Sequence, residues 1–433
     1  MPEPTTIAAA AGFIRSGRLT PVELLEQCLD RTDRYEDRVR AWAHLDRDGA
    51  RQQAERLSAE LKAGQHRGPL HGIPIGVKDI IDVFDLPTGC GSKLWANSYA
   101  RRDAAVVERL RDAGAVILGK TVTTTFASFD PPATRNPWDL TRTPGGSSSG
   151  SAAAVACGMC LGAVATQTGG SITRPASFCG VCSLKPTFGR VSVDGVLPLS
   201  PRLDHVGVMA NSVADLLLLF RVIRSVPAEP TGFLRRLLDL TDFAPPGLPE
   251  PSMAEAYASC RAATAQKGWG WRDHVLPPSF ADVRRNQYML MAVGAAAYHG
   301  ERFRRRPDDY PPCITRLIQD GLACPAPEYD RVLRHHARFQ AEIDAAFPDG
   351  WDTFATPASA GPAPGVETTG DPAFNSPWSY AGLPTVSLPI GWGNDRLPLS
   401  IQLVGRRGGD EKLLALAAQF EADLGFEHGT PPL

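Results

Sequence analysis

Net charge is nearly absent from this sequence. Its 433 residues carry 45 Lys plus Arg against 47 Asp plus Glu, a formal charge of -2. That balance offers no electrostatic handle for nucleic acid or an acidic membrane, and no basic stripe interrupts it. Long apolar runs are missing as well: the longest small-residue stretch is broken by Gly, Ser, Gln and Thr and makes a poor membrane span. The N-terminus has no basic, apolar, small-residue leader, so a signal peptide is not expected and a cytoplasmic protein is. An even cysteine set is lacking too. The nine cysteines, at 28, 90, 157, 160, 179, 182, 260, 313 and 324, are an odd number in a long chain, which speaks against a secreted disulfide framework and for reduced, mostly buried thiols. At 43% hydrophobic and 21% charged residues the composition is that of an ordinary globular protein, and the length suits either two or three domains or one large α/β body.

The local signals favour the single body. Thr20, Pro21 and Glu23 form a capping box with proline at the first helical position, and Leu24, Leu25, Cys28 and Leu29 follow at helical spacing. "AWAHLD" reads as a short strand and residues 47–62 as a charged helix stopped at Gly64. "GPLHGIPIGVKDIIDV" reads as a buried strand and turn, 103–113 as an amphipathic helix stopped by Gly114, and "AVILGKT" as a strand. This helix–glycine–strand rhythm is that of an α/β protein. Residues 213–223 are expected to be helical, 225–250 an irregular Pro-rich connection, and 275–345 mainly helical with Arg302–Arg306 on an exposed turn. "TVSLPIGW" and "PLSIQLVG" read as late strands, and 411–424 as a final helix.

The stretch "TPGGSSSGSAAAVACGMCLGAVATQTGGSITRPASFCGVC", Thr143 to Cys182, admits three readings. A flexible linker carries no apolar anchors, yet here the serines precede "AAAVACGMCLGAVAT", apolar enough for a buried helix. Cys157-x-x-Cys160 and Cys179-x-x-Cys182 have the spacing of a four-cysteine zinc site, but Cys157 and Cys160 fall within that expected helix and the intervening "LGAVATQTGGSITRPASF" offers no basic or aromatic surface. The third reading is catalytic. In "QTGGS" two glycines let backbone N–H groups turn inward to hold an oxyanion while the serine attacks a carbonyl. None of the histidines, at 44, 66, 71, 205, 274, 299, 335, 336 and 428, has a convincing triad context. Lys78, a lone cation in "PIGVKDII", could act as base if burial lowers its pKa.

Together, "GGSSSGSAAAVA", "TQTGGS", "RPASFCGV", "LKPTFGRVS", "GIPIGVKD", "DHVGVMANSVADL", "WDTFATPA" and "FNSPWSYAGLPTVSLPIG" closely resemble the amidase signature family across roughly residues 20 to 424, least well in 225–300. The resemblance implies a single α/β domain over residues 1–433, with a large mixed twisted sheet surrounded by helices and a more variable helical section at about 225–345. It implies a Ser–cis-Ser–Lys triad with Ser171 as nucleophile, Ser147 as the cis-serine relay and Lys78 as base. The backbone N–H groups of Thr168, Gly169, Gly170 and Ser171 would form the oxyanion hole. It implies no cofactor and no metal, and as partner a small-molecule amide rather than nucleic acid or membrane; a homodimer is among the assemblies it allows. Ser148 and Ser149 are expected to bond backbone, Ser151 to cap the following helix, and Asp79 and Asp204 to be supporting groups.

Three positions depart from the commoner family pattern. Ser149 stands where many relatives carry Gly, Gln167 where many carry Asp, and Thr173 where many carry Arg, the arginine coming one residue later as Arg174. This "QTGGSxxRPA" form resembles the malonamidase-type branch, which implies that Arg174 binds a substrate carboxylate with its planar fork. The competing reading of Arg174 is an ion pair with a buried acid. At the level of function, the alternative to a free-standing amidase is the glutamine-hydrolysing subunit of a tRNA-dependent amidotransferase.

Overall fold

Among the described residues, eleven strands run through one sheet in the order β1-β3-β2-β4-β6-β5-β10-β11-β9-β7-β8. They are β1 Trp42–Leu45, β2 Pro74–Lys78, β3 Val116–Thr121, β4 Gly162–Gln167, β5 Cys182–Lys185, β6 His205–Ala210, β7 Arg236–Asp239, β8 Gly270–Asp273, β9 Thr353–Pro357, β10 Thr385–Trp392 and β11 Pro398–Gly405. The structure, a computed structural model, describes residues 2–227, 231–240, 245, 247–427 and 429–433. The sheet is mixed. β3, β2 and β4 run parallel, as do β9, β7 and β8, while the pairings from β4 through β6, β5, β10 and β11 to β9 are antiparallel. Every residue of β2, β3 and β4 is buried. This is why those segments read as continuous apolar runs and not as an alternating pattern.

The expected N-terminal elements form as read. The helix Pro21–Val39 begins with a reciprocal capping box, Glu23 N–H donating to Thr20 Oγ1 (3.2 Å) and Thr20 N–H to Glu23 Oε2 (2.7 Å). Leu24, Leu25, Cys28 and Leu29 all face the core. The helices Arg47–Lys62, Ala105–Asp112, Val213–Ile223 and Asp410–Leu424 and the strands β10 and β11 also lie where the sequence placed them, within two residues.

Four expectations need correction. The apolar run after the serines is not one helix: the helix Ser149–Ala156 ends at Cys157, and Gly158 turns the chain with φ +65° before β4 starts at Gly162. Cys157 and Cys160 therefore lie beyond the helix. Ser151 does not cap it; the N-cap is Ser148, and the Ser151 hydroxyl pairs with Thr121 Oγ1 at 2.7 Å, fixing the helix against β3. Residues 225–250 are not wholly irregular, because Arg236–Asp239 is β7, paired with β8 and β9; residues 228–230, 241–244 and 246 of that stretch lie outside the described residues. Arg302–Arg305 close the helix Val283–Arg305 rather than forming a turn.

Small residues set how closely the helix Ser149–Ala156 approaches the sheet. A Cβ on Gly150 would fall on Ala41 O and Val122 N and lie 3.0 Å from Val122 Cα. These are backbone atoms that cannot step aside. Alanine at position 150 overpacks this contact and should cost about 3 kcal/mol or more of stability, read as a fall in the urea midpoint with an unchanged slope. Seven of the nine cysteines are buried, Cys313 is exposed and Cys324 partly so. Burial pushes the Cys28 thiol up to about 12 and raises the Cys157, Cys160, Cys179 and Cys182 thiols too. A thiol titration of the native protein should accordingly consume about two equivalents of reagent quickly, the rest reacting only in denaturant.

Candidate active site

Lys78 ends β2, hydrogen-bonded between the parallel strands β3 and β4, and its side chain is fully buried. Its Nζ lies 2.7 Å from Ser147 Oγ and 2.8 Å from Thr166 Oγ1. Burial drives the amine well below the usual lysine range, opposed only by the charge of Asp204. Ser147 follows a cis peptide bond from Gly146 and is itself fully buried. The turn that presents it is built from glycine: Gly145 has φ +81°, and a Cβ there would sit 2.7 Å from Pro175 Cα. Ser148 and Ser149 bond backbone as expected, their hydroxyls donating to Thr166 O (3.2 Å) and Gly145 O (2.6 Å).

The second turn, Thr168–Ser171, follows β4 and lies against the first, Ser148 N–H donating to Ser171 O at 3.3 Å. Ser171 is half-buried, in contrast to Ser147 and Lys78. The carbonyls around this turn are all held from outside. His205 Nδ1–H donates to Gln167 O (3.2 Å), Gln287 Nε2 to Thr168 O (3.4 Å), Ser379 Oγ–H to Gly169 O (2.7 Å) and Arg174 N–H to Gly170 O (2.9 Å). In a trans peptide the N–H points opposite to its C=O. Each of these bonds therefore directs the next residue's N–H the other way. None of the N–H groups of Thr168, Gly169, Gly170 and Ser171 donates to a described residue. Four donors on one turn, unpaired among the described residues, are the chemistry that stabilises an anionic oxygen.

Supporting residues lie where the sequence put them. Asp204 accepts from Thr168 Oγ1 (2.6 Å), Leu199 N–H (3.0 Å) and Ser200 N–H (2.9 Å), anchoring the start of the second turn. Asp79 forms a buried pair with Lys120 at 3.1 Å and accepts from Gly89 N–H at 3.2 Å. It holds the loop beside Lys78 and does not face Ser147. Two residues that sequence reasoning passed over complete the site: Ser379, on the helix Ser376–Ala381, and Gln287, on the helix Val283–Arg305. Ser379 lies in the quoted "FNSPWSYAG", but nothing in a lone serine signals a contact 210 positions away.

Arg174 is buried in the helix Thr173–Cys179. Its Nη2 donates to Gly146 O (2.8 Å) and Thr369 Oγ1 (3.3 Å), so it grips the carbonyl of the cis peptide. Nε and Nη1 are buried without a partner among the described residues, as is Asn375 Oδ1. These groups converge below Gly170, where a Cβ would come within 2.8 Å of Asn375 Oδ1 and 3.1 Å of Arg174 Nη1. Among the described residues no acid pairs with Arg174 directly. Burial pulls it down to about 10, with Asp371 opposing. Among the described residues, too, no three His, Cys, Asp or Glu side chains gather into a group that could hold a metal, and no helix is long and apolar enough to cross a membrane.

Comparison with known proteins identifies the family. A family profile described as Amidase matches residues 23–231. The chain is 32% identical to the AmiD protein of Mycobacterium tuberculosis, over 99% of this chain and 96% of that one. It is 33% identical to a glutamyl-tRNA(Gln) amidotransferase subunit of Chloroflexus aggregans, over 96% of each. The solved peptide amidase of Stenotrophomonas maltophilia superposes with a TM-score of 0.87 at 28% identity, covering 99% of both chains. The chain belongs to the amidase family and is an enzyme that hydrolyses carbon–nitrogen bonds.

Proposed function

We propose that the chain hydrolyses a small amide through a covalent acyl intermediate on Ser171, with Ser147 as proton relay and Lys78 as base. The observation that carries this reading is the buried amine of Lys78, 2.7 Å from Ser147 Oγ and beside a turn with four unpaired N–H groups. An uncharged amine can accept the Ser147 proton as Ser147 accepts that of Ser171, so Ser171 Oγ attacks the amide carbon as an incipient alkoxide. The C=O π pair moves onto oxygen, which the N–H groups of Thr168–Ser171 stabilise. Collapse breaks the C–N bond, and the nitrogen takes its proton back through Ser147 from Lys78. Water then attacks the ester, using the same relay, and releases the acid and free Ser171.

A carboxylate-bearing substrate, as in the malonamidase-type branch, is the finer part of the proposal. The unpartnered Nε and Nη1 of Arg174 support it, since a buried guanidinium N–H without an acceptor is costly. The relatives named as amidotransferase subunits favour a second reading, in which the amide is glutamine and activity depends on partner subunits.

The purified protein alone should release ammonia or an amine from members of a panel of neutral and carboxylate-bearing amides, and Ser171→Ala should lose at least 10³-fold in kcat. Activity confined to glutamine and to mixtures with amidotransferase partner subunits would favour the second reading. Arg174→Lys keeps charge but loses the fork. It should raise KM about tenfold or more for carboxylate-bearing amides and no more than threefold for neutral ones; an equal rise for both removes the anchor role. For pH, the active form is the deprotonated lysine, so kcat/KM rises as pH rises through the Lys78 pKa. Burial lowers that pKa and Asp204 raises it. Asp204→Asn should consequently move the acidic limb of the kcat/KM profile to lower pH.

A further inference from the structure

We propose that Gln167 and Ser379 are a positioning couple that aims the Gly170 N–H of the oxyanion-stabilising turn; the inference rests on the reading of Ser171 as nucleophile. Gln167 is buried at the end of β4. Its Oε1 accepts the N–H groups of Ile172 (2.7 Å) and Thr173 (3.0 Å), and its Nε2 donates to Ser379 Oγ (3.0 Å). Ser379 Oγ–H in turn donates to Gly169 O at 2.7 Å.

The direction of this chain is set by chemistry. The amide oxygen is occupied by two N–H donors, so the end facing Ser379 must be the NH₂. With a donor on its oxygen, the Ser379 hydroxyl has its own proton free for the Gly169 carbonyl. Gly169 C=O and Gly170 N–H share one peptide plane and point in opposite directions. Fixing the carbonyl toward the helix Ser376–Ala381 thus fixes the N–H toward the opposite side, where it remains unpaired. Gly170 lacks the Cβ whose bulk would otherwise limit rotation of this peptide, so the orientation needs an external tether. The same Gln167 oxygen consumes the Ile172 and Thr173 N–H groups, which confines the free donors to Thr168–Ser171.

A carboxylate at position 167 would satisfy the two N–H groups but not the rest of the chain. Facing an ionised carboxylate, the Ser379 hydroxyl turns its proton toward it and releases Gly169 O. Protonation of the carboxylate introduced by Gln167→Glu restores the donor. The couple is thus specific to an amide at this position, where many family members carry Asp.

The test uses an alkyl fluorophosphonate, which phosphonylates an activated serine with loss of fluoride and needs no knowledge of the natural substrate. Labelling of Ser171 is followed by mass spectrometry in the full chain, with folding checked by circular dichroism. We expect Ser379→Ala to slow the second-order labelling rate tenfold or more. We also expect Gln167→Glu to be slowed at neutral pH, with its rate relative to wild type recovering as pH falls through the glutamic acid pKa. A folded Ser379→Ala labelled within threefold of wild type overturns the proposal. Should that variant fail to fold, a Gln167→Glu to wild-type rate ratio that is flat with pH overturns it instead. Wild-type protein that is not labelled at Ser171 removes the nucleophile reading and this one with it.

Discussion

The site depends on keeping one amine out of water. Lys78 sits at the end of a five-residue strand that is buried throughout, flanked by parallel neighbours on both sides. An ammonium in such a place loses its hydration, and among the described residues no carboxylate is in direct contact with it to compensate. Its near neighbours are two hydroxyls, Ser147 and Thr166, and the Thr166 carbonyl. Burial pushes its pKa well below the ordinary lysine range, and the proposed base role of this amine, 2.7 Å from the Ser147 hydroxyl, rests on that shift. The proposed serine chemistry uses no histidine. His205, which contacts the start of the second turn, is itself held neutral by burial and spends Nδ1 on the carbonyls of Gln167 and Leu203.

Small residues serve two purposes around that amine. Gly145 and Gly150 let backbone approach backbone, bringing the Ser147 turn against the helix Thr173–Cys179 and the helix Ser149–Ala156 against β3. Gly169 and Gly170 leave peptide planes free to be set by hydrogen bonds to their carbonyls. Three distant parts of the chain hold the carbonyls at the start of this turn: β6 supplies His205 to Gln167 O, the helix Val283–Arg305 supplies Gln287 to Thr168 O, and the helix Ser376–Ala381 supplies Ser379 to Gly169 O. Gln287, within the stretch 225–300 where family resemblance is weakest, therefore touches the turn directly. Arg174 ties the two turns together through the Gly146 carbonyl while keeping two N–H groups unspent.

Much of this was legible in the sequence, for physical reasons. The Thr20 capping box, the residues that stop helices at Gly64 and Gly114, and the apolar runs of β2, β3 and β4 are local signals, and local signals survive in a single chain. Lys78, Ser147 and Asp204 could be placed because their motifs carry them, and the structure brings Lys78 and Ser147 into contact. What failed was of another kind. The break at Gly158 was hidden because alanine, cysteine and leucine suit a helix and a buried strand equally. β7 was missed because a four-residue strand surrounded by proline and glycine has too little pattern to register. Ser379 and Gln287 could not be read at all, since their roles arise from contacts more than 100 residues apart in sequence.

The most direct measurement is the titration of Lys78 itself. Protein labelled with ¹³C at the lysine side chains, with the Lys78 signal assigned by its loss in Lys78→Arg, would report the charge of this amine through its Cε shift across the pH range. Lys78 is expected to be uncharged at neutral pH, with a midpoint far below the ordinary lysine value of about 10.4. A Lys78 signal that titrates near that ordinary value would contradict it, because a protonated amine could not take the proton from Ser147.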